Sequence, residues 1–283
     1  MPIPTPVPCQ SIETSLKQKR QQLNRLNSRP SSGGGPVVKP PRDRDPELEA
    51  ERRRLTSEIR TLDAQLTQCF VQHNRHRPLT VQWQSLFCED QDDTEVLFIP
   101  EDDEPYLVVY ALNLPTSPNI GNPASFVPDA RAFKIGPFHS VDSGETVSGA
   151  VNVWDTNGTP RPIGDPNGVV ILVAMMEFDE SGADMVRTAV QTAMIPIVVS
   201  NIAAALNDPE AFRVRLMEGM AGVIQTAVKA AVGSQDDQIG PIKQIRLTRQ
   251  ILDRAYRDGT VRFDLRFTKP GARYSAAFNL VLT

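Results

Sequence analysis

Cysteine and histidine are both scarce in this chain, whose 283 residues contain only three of each. Cys9, Cys69 and Cys88 are far apart and odd in number, which excludes a disulfide-rich scaffold and any Cys/His zinc motif. We therefore expect three free thiols. No nucleophile with a base at a recognisable spacing is present either. The sequence thus predicts a protein without enzymatic activity.

A secretory signal is also lacking, because residues 1–8 alternate proline with other residues and contain neither a basic start nor an apolar run. The predicted location is the cytoplasm, or release without a cleavable signal peptide. A large excess of charge of one sign is absent too. The net charge of −4 and the pI near 5.5 disfavour a nucleic-acid partner.

Residues 1–78 have the pattern of two helices that surround a glycine- and proline-rich break. Ser11 and Asp45 are suitable N-terminal caps. Each helix has one narrow apolar stripe, formed by Ile12, Leu16, Leu23 and Leu26 in the first and by Leu48, Leu55, Ile59, Leu62, Leu66 and Cys69 or Phe70 in the second. These stripes predict an antiparallel coiled-coil hairpin. Self-association through the same stripes is the alternative.

His73 and His76 lie three residues apart near the end of the second helix. This spacing suits a metal on a helix face. No third ligand follows nearby, and basic side chains are favoured at a helix C-terminus by the helix dipole. We therefore interpret both histidines as part of a polar helix end.

Residues 79–283 consist mostly of short apolar or alternating segments separated by turn residues, which is typical of strands packed as a β-sandwich. The exception is a helical insertion at about 184–233. The segment after it, Ile242–Ile251, is predicted to be a strand. The predicted strands are Leu79–Cys88, Pro105–Leu112, Ala132–Phe138, Val151–Trp154, Val169–Met176, Thr260–Phe267 and Ala272–Leu282.

Four acidic clusters follow strand ends, at residues 89–95, 101–104, 177–184 and 236–237. If the fold brings these ends together, the carboxylates repel one another unless a cation neutralises them. Calcium prefers six to eight oxygen ligands and is the natural candidate. The alternative is a set of solvated acidic loops.

Three short motifs in this region resemble the C2 domains, a family of calcium- and phospholipid-binding β-sandwiches. Glu104-Pro105-Tyr106-Leu107 is similar to the family's Asp-Pro-Tyr-aliphatic strand entry, and Glu177-Phe178-Asp179 is similar to its acid-x-acid loop. Asp236-Asp237-Gln238-Ile239-Gly240 resembles its closing element. The resemblance implies a mainly β fold with helical additions, namely a C2-like antiparallel β-sandwich over residues 79–283 that carries the helical-hairpin insertion.

The same resemblance implies a calcium site. Carried over position by position, its ligands are Asp93 (or Asp92), Glu104, Glu177, Asp179 and Asp237. Asp184 is a further guess from its place beside the third loop. Two positions have Glu where the family has Asp, and the helical insertion divides the third loop. A metal-free sandwich is therefore kept as the alternative.

The inserted helices carry the second functional hypothesis. Residues 188–206 contain no charge over nearly the length that crosses a bilayer. Gln191, Pro196 and Asn201 reduce their hydrophobicity, and the following helix is amphipathic. The hairpin is expected to pack on the sandwich, and a membrane-inserting segment is the alternative.

Taken together, these patterns predict a non-catalytic binding module, assisted by calcium, that docks to a membrane surface or a protein partner. A pore-forming or membrane-perturbing effector that uses helices 188–232 is one alternative. A metal-free structural interaction protein is the other.

Overall fold

The computed structural model describes residues 5–28, 46–75, 77–91, 104–113, 129–139, 141–156, 159–160, 163, 166–177, 182–230 and 238–283. The chain divides into two compact units. One runs from the N-terminus to His76 and includes Tyr256–Gly259, and the other comprises Arg77–Ala255 and Thr260–Thr283.

The first unit is a helical hairpin. After a 3-10 turn at Val7–Cys9, helix α1 spans Gln10–Asn27 and helix α2 spans Pro46–Asn74. The helices are antiparallel, because the start of α1 is joined to the end of α2 at Cys9 and Cys69, whereas the Leu26 carbonyl near the end of α1 accepts a hydrogen bond from Arg52 near the start of α2 (3.4 Å). The apolar stripes meet between the helices, where the buried residues are Leu16, Leu66 and Phe70, with Ile12, Ile59 and Leu62 packed against them.

The prediction of three free thiols is wrong. Cys9 and Cys69 form a disulfide, with their Cα atoms 5.9 Å apart, and Cys88 is buried outside any disulfide. The disulfide closes the hairpin at the end opposite to the α1–α2 connection. Its cause is the antiparallel register, which sets the start of α1 beside the last turns of α2.

The segment after the helical insertion was only partly predicted. Instead of one strand over Ile242–Ile251, the chain forms a short strand, β8 (Lys243–Ile245), and then helix α5 (Arg249–Asp258). The hydroxyl of Thr248 accepts a hydrogen bond from the Ile251 N–H (3.3 Å), which is an N-cap contact. Gly259 follows the helix with φ of 83°, the left-handed conformation that ends many helices.

The second unit contains two four-stranded antiparallel sheets. Sheet A has the order β4-β1-β10-β9 and sheet B the order β3-β2-β7-β8. Two-residue strands β5 (Asp155–Thr156) and β6 (Thr159–Pro160) form a small separate ladder. The longer strands are β1 (Leu79–Gln91), β2 (Pro105–Asn113), β3 (Asp129–Ile135), β4 (Thr146–Asn152), β7 (Val169–Glu177), β9 (Thr260–Lys269) and β10 (Ala272–Leu282).

The central strands of sheet B are buried on both faces, since every residue of Pro105–Leu112 and of Val169–Met176 is buried. One face packs against helices α3 (Ala183–Asn207) and α4 (Pro209–Ala230). The other face turns toward sheet A, from which Lys269 of β9 reaches Glu177 of β7. Trp83 of β1 also stacks on Phe138, which follows β3.

The prediction of a mainly β, C2-like sandwich is therefore wrong. More of the described residues are helical than extended, and α3 and α4 are a layer of the core. Val190 and Met194 of α3 and Phe212 and Leu216 of α4 are buried against β2 and β7. The error has a physical reason: an apolar run such as Val169–Met176 shows that a strand is buried on both faces, but not what covers each face.

Candidate functional site

Three chain segments meet at the same end of the strands of sheet B. Pro105 of β2 pairs with Glu177 of β7, so Glu104 and Glu177 stand at neighbouring strand ends. Met176 forms an isolated bridge with Gln238, and the Ile239 N–H donates to the Met175 carbonyl (2.8 Å). The residues after Asp237 therefore return to this same end of sheet B.

Sheet A brings further charges to this end of the second unit. Asp90 near the end of β1 is opposite Arg273 at the start of β10, and Ala272 is opposite Lys269 at the end of β9. Because Lys269 is bonded to Glu177, the two sheet ends are adjacent. We call Glu89, Asp90, Glu104 and Glu177 the acidic rim.

Each carboxylate of the acidic rim has a basic partner. Glu104 lies 2.6 Å from Nδ1 of His139, and Glu89 lies 3.0 Å from Nε of Arg266. Glu177 pairs with Lys269 and Asp90 with Arg273. The Glu177–Lys269 pair is the most enclosed, since its side chains are 19% and 26% exposed. Lysine and arginine side chains therefore neutralise Glu89, Asp90 and Glu177, and the His139 ring contacts Glu104.

Glu89 shows the electrostatic effect of these partners. Its carboxylate accepts a hydrogen bond from the Ser275 hydroxyl (2.6 Å) and one from Arg266. The Ser275 hydrogen bond, followed by the charge of Arg266, holds the pKa of Glu89 below its ordinary value. The lowered pKa of Glu89 therefore stabilises the folded state at pH values above the pKa that Glu89 has in the unfolded chain. This stabilisation is lost as the pH falls through the folded-state pKa of Glu89.

Substitution of Ser275 by alanine should therefore raise the pKa of Glu89 toward the ordinary glutamate value, because the largest cause of the lowered pKa is removed. Arg266→Gln should raise it less. Carboxyl carbon shifts followed by NMR from acid to neutral pH measure both changes. A Glu89 titration that is the same in the wild type and in Ser275→Ala would contradict this assignment.

The structure describes two of the five predicted calcium ligands, Glu104 and Glu177, and sets them side by side. Asp93 and the alternative Asp92, together with Asp179 and Asp237, lie outside the described residues. Asp184 is described, and it lies in the first turn of α3. It pairs with Lys134 of β3 (2.8 Å) and Arg187 (3.8 Å). The hydrogen bond from Lys134 lowers the pKa of Asp184.

Among the residues that the structure describes, no three His, Cys, Asp or Glu side chains are grouped so that they could hold a metal ion. His73 belongs to the last turn of α2, and the predicted partner His76 is outside the described set.

The sequence analysis missed the basic half of this site. Arg266, Lys269 and Arg273 are separated from their acids in the chain by 92 to 183 residues. The alternation of Arg262, Asp264 and Arg266 shows that one face of β9 is polar. It does not identify the acid opposite each arginine, because strand order and register are tertiary properties.

No family model, curated protein or solved structure matches the chain. The resemblance to C2 domains thus has only the short motifs quoted above as its basis. In the described part of the chain, no helix is both long enough and apolar enough to cross a bilayer.

Proposed function

We propose that the chain is a non-catalytic binding module whose acidic rim receives a cationic ligand, with calcium as the first candidate. The supporting observation is that Glu104 and Glu177 lie at adjacent strand ends. The sequence next to them is strongly acidic, with Glu101-Asp102-Asp103 before Glu104 and Asp179-Glu180 after Glu177. Such a concentration of carboxylate oxygens is what calcium prefers in proteins.

Calcium has to compete with the protein's own cations at this site. Lys269 occupies one carboxylate oxygen of Glu177, and His139 contacts Glu104. These ion pairs support a second candidate, a metal-free interaction protein whose rim is neutralised from within. The two candidates predict different calcium affinities and stabilities for a variant that lacks the Lys269 charge.

The first experiment is a calcium titration monitored by thermal unfolding. A ligand that binds only the folded state stabilises it by about 2.7 kcal/mol at 100 times its Kd. Calcium should therefore raise the Tm of the wild type, and the effect should disappear in Asp179→Asn/Asp237→Asn. Asp264→Asn removes an exposed acid outside the rim and serves as the matched control. An unchanged wild-type Tm up to about 10 mM calcium would exclude the calcium candidate, since weak extracellular sites have Kd values of about 0.1–1 mM.

The second experiment uses Lys269→Met, which keeps the length of the side chain and removes its charge. In the calcium candidate, this variant binds calcium more tightly than the wild type in isothermal titration calorimetry, because Glu177 has lost its competitor. If the chain is instead metal-free, the variant is less stable than the wild type at every calcium concentration, because the half-buried Glu177 loses its ion pair with Lys269.

The docking partner of the module is proposed to be a membrane surface or another protein rather than a nucleic acid. The alternative of a pore former that uses helices 188–232 requires α3 and α4 to separate from sheet B, where Met194 and Phe212 are buried. Dye release from liposomes tests this alternative. Intact vesicles of both neutral and anionic lipid would rule it out.

We also propose that the protein works in an oxidising compartment. The Cys9–Cys69 disulfide supports this location over the reducing cytoplasm. Alkylation of the protein directly on cell lysis tests it. Recovery of all three cysteines as free thiols would place the protein in a reducing compartment.

A further inference from the structure

The two sheets have four edge strands, and three of them are protected against pairing with another chain. The amide of Gln191 in α3 bonds to the edge of β3, accepting from the Ala132 N–H (2.6 Å) and donating to the Ala130 carbonyl (3.2 Å). β8 has only three residues. β9 carries charges at alternate positions, Arg262, Asp264 and Arg266. Capping, shortness and charge are the usual means of blocking a sheet edge.

The fourth edge strand, β4, has none of these three forms of protection. Its seven residues, Thr-Val-Ser-Gly-Ala-Val-Asn, carry no charge. Ser148, Gly149 and Ala150 are exposed, and no described strand pairs with the edge of β4 that faces away from β1. An uncharged edge of this kind is a template for another extended strand.

Two hydrogen bonds at the ends of β4 show which of its backbone groups point toward β1. The Cys88 N–H donates to the Glu145 carbonyl (3.0 Å), and the Val153 N–H donates to the Val81 carbonyl (2.8 Å). Because backbone groups alternate along a strand, the odd-numbered residues of β4 face β1. The N–H and C=O groups of residues 146, 148, 150 and 152 then point away from the sheet.

The sequence of β4 is nearly symmetric about Gly149. In an antiparallel pair of two copies centred there, Val147 is opposite Val151, Ser148 opposite Ala150, and Thr146 opposite Asn152. The valine pairs are β-branched contacts that stabilise sheets, and no like charges meet. Residues 148 and 150, whose backbone groups point outward, form hydrogen-bonded pairs in this register.

Gly149 itself fits the centre of such a pair. A Cβ atom at this position would lie 2.6 Å from the Trp83 ring, so only glycine is accommodated. The β4–β1 register shifts between Trp83 and Ser85, opposite Gly149. This irregularity lies beside the two-fold axis, where Gly149 and Ala150 fall between the pairs Trp83–Val151 and Ser85–Ser148.

We propose that β4 is the docking edge for β4 of a second copy of this chain, in an antiparallel pair centred on Gly149. The pair joins two copies of sheet A into one continuous sheet. A single strand edge buries little surface, so the dimer is expected to be weak and concentration-dependent.

Sedimentation velocity at protein concentrations from about 1 to about 200 µM tests the proposal. The dimer fraction of the wild type should rise with concentration. Ser148→Lys/Ala150→Lys should remain monomeric because lysines are then opposite each other across the axis. Ser148→Glu/Ala150→Glu should also be monomeric, and an equimolar mixture of the two variants should dimerise. Gln225→Lys/Thr226→Lys adds the same charge on exposed positions of α4 and should associate like the wild type.

Three results would overturn the proposal. The first is a wild type that is monomeric over the whole concentration range. The second is a lysine variant that still associates, which would place the contact on another surface such as the α1–α2 hairpin. The third is a charge-matched mixture that does not dimerise. Melting curves of both variants must match the wild type. If they do not, Ala150→Lys alone replaces them, and association of that variant equal to the wild type would count against the β4 edge in the same way.

Discussion

Replacement of Phe212 by alanine should lower the free energy of unfolding by about 3–5 kcal/mol, the usual cost of removing a fully buried phenylalanine. Phe212 is 1% exposed and belongs to the core cluster that joins α4 to strands β2 and β7. The loss is large because the cavity lies between α4 and the strands of sheet B, and neither layer can collapse to fill it. Urea or thermal unfolding followed by circular dichroism measures the change.

Val214→Ala is the matched control, because Val214 lies two positions further along α4 and is 47% exposed. Its effect should stay within about 0.5 kcal/mol. A loss below about 1 kcal/mol for Phe212→Ala would mean that α3 and α4 do not form a core layer with the sheets. That result would favour the membrane-active alternative.

Loss of the Cys9–Cys69 disulfide should destabilise the α1–α2 hairpin by about 4 kcal/mol, the value expected from the entropy of closing a loop of this length. Cys9→Ser/Cys69→Ser should therefore lose the α-helical signal of the hairpin at a lower denaturant concentration than the wild type. The hairpin depends on the disulfide because two helices with one narrow stripe each bury few apolar side chains.

Reductant provides the control for this prediction. Wild type treated with reductant should unfold like the double variant, and the double variant should not respond to reductant. Alkylation in denaturant without reductant should label Cys88 and leave Cys9 and Cys69 unlabelled. Labelling of all three residues would show that the disulfide does not form.

The helical and extended segments were predictable wherever the local pattern was strong. The stripe of Leu16, Leu55 and Leu66 identified the hairpin helices, and the apolar run Val169–Met176 identified β7. Helix α5 was missed although Thr248 and Gly259 are good start and stop signals, because the expectation of a further strand was given more weight. That Glu104 and Glu177 are neighbours could be inferred from the sequence only through the order of the C2-like motifs to which they belong.

The pairing of Cys9 with Cys69 could have been inferred. In an antiparallel hairpin the two residues occupy matching positions, in the same register that sets Leu26 beside Arg52 at the other end. Cysteine count and spacing in the sequence do not reveal such a pair, because two helices bring distant residues together.

The sequence by itself determined most of the helices and strands, which faces are apolar, and where the acids concentrate, because these properties depend on neighbours a few positions away. Only the tertiary structure decided that α3 and α4 cover one face of sheet B, that Lys269 neutralises Glu177, and that no described strand pairs with the outer edge of β4. The physical reason is that burial and charge pairing are set by contacts between residues far apart in the chain, and local periodicity has no information about the partner.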